Sequence, residues 1–86
     1  MENKKTNSEL FKEREECWNK YAMYSTYRLA LSKALNSLLQ LMQNDKEHWE
    51  KLYLVYKMLH NRYDYCHKVA MEYLDKESEL MKEMVF

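Results

Sequence analysis

The chain has 86 residues, 47% hydrophobic and 33% charged, a balance that suits a helical or globular protein and excludes a disordered one. Lysine plus arginine and aspartate plus glutamate number 14 each, so no overall field selects nucleic acid. Glycine and proline are both absent, which removes the residues that usually supply left-handed corners and helix stops, so few turns are expected.

Met1 to Thr6 is polar and lacks an apolar signal core, and no apolar run approaches the roughly 18–20 residues that span a bilayer. A cytoplasmic protein without membrane contact is expected. Residues 1–6 read as a flexible N-terminus. Thr6 with Glu9 three positions later matches a capping box, with Asn7 and Ser8 as competing caps, and a helix is predicted over 7–42. Gln43-Asn44-Asp45-Lys46 is the one internal polar cluster rich in capping residues, and a turn is predicted over 43–46. Asn44 or Asp45 would cap a second helix over 46–84, with Glu47 in its first turn where the helix dipole favours an acid. The fold class expected is all-α: one domain, residues 1–86, forming an antiparallel hairpin of two long helices with coiled-coil-like packing. At this size a lone two-helix unit buries little apolar surface, so dimerisation into a four-helix bundle is expected.

Spacing sharpens this reading. Leu10, Arg14, Cys17, Tyr21, Tyr24, Arg28, Leu31, Leu35, Leu38 and Met42 alternate steps of four and three. On the second arm Trp49, Leu52, Tyr56, Leu59, Tyr63, Cys66, Ala70, Tyr73, Glu77, Leu80 and Met84 do the same, the seam of left-handed helix packing. Lys12, Asn19, Thr26, Lys33 and Gln40 form the opposite, water-facing ridge. A charge in a seam is costly unless paired. Folding at 43–46 brings Arg14 level with Glu77, predicted to be a structural ion pair, and sets Arg28 near His60 and Tyr63.

The residues flanking the corner are apolar on more than one face of each arm. Tyr27, Leu31, Ala34, Leu35, Leu38 and Leu41 on the first, with Trp49, Leu52, Val55, Tyr56 and Leu59 on the second, are the candidate interface. Polar replacements of Leu35 and Leu38 are expected to dissociate the assembly.

Other constellations read as packing. His60, Asp64 and His67 share a helix face, but a di-metal site needs carboxylates opposite, and residues 17–44 hold none. No metal, cofactor or small-molecule substrate is expected. Cys17 and Cys66 lack zinc spacing and sit at different heights of the hairpin, so both are expected reduced. The tyrosines fall mostly on the seam and fill it, rather than stacking bases over a basic groove. Arg62 and His67 have an R-x4-H spacing that resembles the active motif of HEPN-type ribonucleases, which are dimeric helical bundles. The likeness covers six residues, with Tyr63 where that motif has a polar residue. It implies an alternative, an RNA-binding or RNA-cleaving dimer using Arg62 and His67, with Lys20, Arg28 and Lys33 as further contacts.

The function expected is a small non-enzymatic protein–protein interaction module (an adaptor, inhibitor or assembly factor). It would act through its apolar helical surface and pair with itself and with a protein partner. Small size and the glycine-free composition fit a phage or other mobile-element origin.

Overall fold

The structure, a computed structural model, describes residues 5–84. Thr6 opens the first helix: its backbone is extended and its Oγ1 accepts a hydrogen bond from the Glu9 N–H at 3.2 Å. Helix α1 then runs Asn7–Asn44 without a break, and α2 runs Trp49–Glu83. The expected flexible start, 1–6, lies outside the described residues over 1–4. Thr6 is fixed by its cap, and Lys5 Nζ sits 2.6 Å from Glu13 Oε1. No strand occurs among the described residues, and the two helices pack side by side as a hairpin.

The corner occupies 45–48 rather than 43–46, and α2 starts at Trp49 rather than Lys46. Asp45 is the cause. Its backbone leaves the helical region (φ −123°, ψ 85°) while its N–H still reaches the Leu41 carbonyl at 2.8 Å, closing α1 two residues later than expected. Its carboxylate then holds the corner, accepting from the His48 backbone N–H at 3.2 Å and lying 2.9 Å from His48 Nδ1. These bonds pull the Asp45 pKa below the usual carboxylate value. Asp45 therefore caps the turn and not α2, whose first residue follows His48 with no side-chain cap. Glu47 falls in the corner, and Glu50 supplies the acid of the first turn.

Every seam position from Leu10 to Met42 is buried or half-buried, as is every one from Leu52 to Met84; Trp49, at the corner, is the exception. All five residues of the water-facing ridge are exposed. Leu10, Cys17 and Leu80 form a buried cluster, with Tyr73 and Met84 packed against it. Arg14 enters this end of the seam: its Nε and Nη2 both donate to Glu77 Oε1, at 2.9 and 2.7 Å, and its Nη1 lies 3.2 Å from Met84 Sδ. Arg28 reaches His67 Nδ1 at 2.6 Å, one turn beyond the expected Tyr63 and His60, because the displaced corner shifts the level pairing towards the open end.

Leu35 is 7% exposed and Leu38 half-buried between the arms, so a polar residue at either attacks the hairpin itself. Leu35→Ala is expected to lower stability by about 2–4 kcal/mol in urea unfolding. Arg14→Ala and Glu77→Ala are each expected to cost about 1–3 kcal/mol, with a double mutant that costs much less than their sum. In acid, the contribution of Asp45 is fully present above its unfolded pKa and fades as pH falls through its lowered folded value. A carboxyl-resolved NMR titration should find Asp45 among the last carboxylates to protonate, and His48→Ala should move it back towards the ordinary range.

Candidate interaction surface

The hairpin is one layer thick. The Cα trace measures 66 × 20 × 14 Å with a radius of gyration of 19.2 Å, against about 12 Å for a compact domain of this length. The chain exposes 7189 Å², where a compact protein of its 10.7 kDa exposes about 5,500 Å². No large side chain is fully buried among the described residues. Two helices side by side cover only the line between them, so each broad face of the layer remains open.

Both faces are apolar in part. Tyr27, Ala34 and Leu41 on α1 and Val55 and Val69 on α2 each stand one residue before a seam position, which puts them to one side of the seam. Tyr24 marks that side, with ring centroids 6.0 Å from Tyr27, 6.5 Å from Tyr65 and 6.2 Å from Tyr73. Burial, then the neighbouring Tyr65 and Tyr73, push the Tyr24 hydroxyl pKa up. Phe11, Trp18 and Leu39 on α1 and Tyr53 and Met81 on α2 each stand one residue after a seam position and occupy the other face. Trp49 stacks on Tyr53 at 5.1 Å at the corner.

The candidate interface from sequence therefore divides. Leu31, Ala34, Leu35, Leu38, Leu52, Tyr56 and Leu59 are buried or half-buried within the hairpin. Tyr27, Leu41, Trp49 and Val55 are exposed, joined at mid-length by Leu29 and near the corner by Leu54 and Met58, which is 69% exposed. Phe11, Trp18, Tyr65, Met71 and Met81 are exposed as well and were not part of the candidate set. Their signal was present in the sequence, since Phe11, Trp18 and Leu39 share one heptad position on α1 and Tyr53 and Met81 share its counterpart on α2.

The polar constellations do not converge. Arg62 and His67 are five residues apart on α2, so they point to opposite sides of the seam. His67 is engaged by Arg28 and stacks on Tyr63 at 6.4 Å. Lys20 and Arg62 share the Tyr27 face, Arg28 lies in the seam and Lys33 on the outer ridge, so the four bases form no common groove. His60 Nδ1 lies 3.3 Å from Asp64 Oδ2, while the Arg28 guanidinium engages Nδ1 of His67. No group of three or more metal-ligating side chains is gathered among the described residues. Cys17 and Cys66 are buried free thiols. Among the described residues no helix is long and apolar enough to cross a membrane. No protein family, no characterised protein and no solved structure matches this chain at a significant level.

The raised Tyr24 pKa makes its contribution to stability complete below the unfolded tyrosine pKa and lost as pH rises through the higher folded value. Spectroscopic titration of tyrosinate is expected to show one late-ionising tyrosine, and Tyr24→Phe to remove it.

Proposed function

We propose that this chain is a non-enzymatic protein–protein interaction module of the cytoplasm (an adaptor, inhibitor or assembly factor) that pairs with itself into a four-helix bundle and acts through its apolar helical faces. One observation carries the reading: a single layer of two helices leaves leucine, methionine and aromatic side chains open on both broad sides. Exposed apolar patches of this kind are covered in the working state of most soluble proteins. Tyr27, Leu41, Trp49 and Val55 belong to that open surface. A second hairpin laid on either face completes the second layer that a helical domain ordinarily has. Cys17 and Cys66, free and buried in the seam, suit a reducing compartment.

Sedimentation equilibrium of the full chain at about 10–100 µM, the range in which weak pairs associate, is expected to return twice the chain mass. A strict monomer over that range would overturn self-association. Gel shift against single- and double-stranded RNA is expected to show no salt-dependent complex, because the net charge is zero and the four bases form no common groove. A complex lost on raising salt would favour the nucleic-acid reading instead.

A further inference from the structure

The two broad faces are not equivalent. On the Tyr27 face, apolar surface stops at mid-length, and the open-end half is crowded by Glu13, Glu16, Lys20, Lys76 and Glu83 around a shallow groove. On the Trp18 face, the charges are Glu15, Glu50, Lys57 and Asp64, with the Arg28 guanidinium emerging at mid-length against His67, and they are scattered rather than gathered around a groove. Apolar side chains there reach from Phe11, Trp18 and Met81 at the open end, through Leu29 and Met71, to Leu39 and Tyr53 near the corner.

We propose that a second copy of this chain seats on the Trp18 face, head to tail, the corner of each hairpin covering the open end of the other. This deepens the self-association reading and rests on it. The area fits such an occupant: a layer of 66 × 20 Å offers more than the about 800 Å² per partner of a stable interface. The apolar pattern also fits, because both ends of this face are apolar and remain covered when the copies run in opposite directions.

Charge selects the orientation. Head to tail, α1 lies over the other copy's α1 and α2 over its α2. Taking the midpoint of the helices as the centre, Lys57 then falls within about one turn of the other copy's Asp75, and Glu15 within about one turn of its Lys33. All four are exposed, Lys57 and Glu15 on this face and Asp75 and Lys33 on the outer ridge that borders it. Corner to corner, α1 lies over α2, and the same rims set Lys57 against Lys33 and Glu15 against Asp75, like charge on like. Opposite-charge rims steer and orient association, and like-charge rims disfavour it. The Tyr27 face stays open in the head-to-tail pair, leaving Tyr27, Leu41, Val55 and Met58 for a further protein.

Sedimentation equilibrium of the full chain and its variants tests this, with circular dichroism to establish that each variant stays helical. Trp18→Glu is expected to weaken the dimer more than about 100-fold, as loss of an aromatic anchor does, while Val55→Glu leaves it unchanged. Met71→Glu gives the same test should Trp18→Glu fail to fold. Lys57→Glu and Asp75→Lys are each expected to weaken the dimer about 3- to 10-fold, and the double variant to restore it. A dimer that survives Trp18→Glu and Met71→Glu but is lost in Val55→Glu overturns the choice of face and leaves self-association standing. A double variant no better than the single ones overturns the orientation. A monomeric wild-type chain overturns self-association itself, whatever the variants do.

Discussion

Two helices laid side by side share one line of contact, and everything in this molecule is arranged along that line. Leu10, Cys17 and Leu80 fill its open end, Leu35 and Met42 its corner end, and tyrosines much of the length between. Apolar side chains alone would let one arm slide past the other by a heptad with little change in contact. Arg14 and Glu77 forbid it. Their side chains are 23% and 15% exposed, so a slip would strand a charge against Ala70 or Met84 with few waters to solvate it. The pair sets the register more than it adds to stability, as a polar residue in a helical seam commonly does.

The same geometry limits what the chain can do alone. Each helix carries apolar residues over a wider arc than the seam covers, and one layer provides nowhere to put them. The two faces left over differ in how their charges are spread. On one, apolar side chains recur from end to end between scattered charges, and on the other they are confined to the corner half. A face of the first kind suits a partner as long as the hairpin itself, and the second suits a shorter one.

Much of this was legible in the residue order. The alternation of three and four marked the seam residue by residue because burial in a helical hairpin follows position so directly. Thr6 was legible as a cap because its hydroxyl acts on a backbone group three residues away. The corner was harder. Asp45 and Asn44 have similar capping tendencies, and only the side-chain bonds to His48 decide that Asp45 holds the turn and leaves α2 uncapped. That displacement carried Arg28 from His60 to His67, while Arg14, with Glu77 within a turn in either register, kept its partner. Surface was least legible. Leu31, Leu35 and Leu59 look alike to Leu41 and Val55 in a list of apolar residues, and only the packed hairpin separates those already covered from those still open. Phe11 and Trp18 are hard to see in the sequence because the charged stretch Lys12 to Glu16 dilutes the local composition, even though their shared helical position gives them a common side.

The hairpin returns the chain to its starting point. Lys5 lines the same shallow groove as Glu83, and Arg14 touches Met84, so both ends of the described chain emerge at the charged tip of the rod. The corner lies at the far end of a body 66 Å long. A hairpin of this kind can be spliced through a single surface loop of another protein, because its entry and exit points are neighbours. A body joined at that tip would stand clear of the Leu41 and Val55 patch, which the rod would hold outward like the working end of a probe.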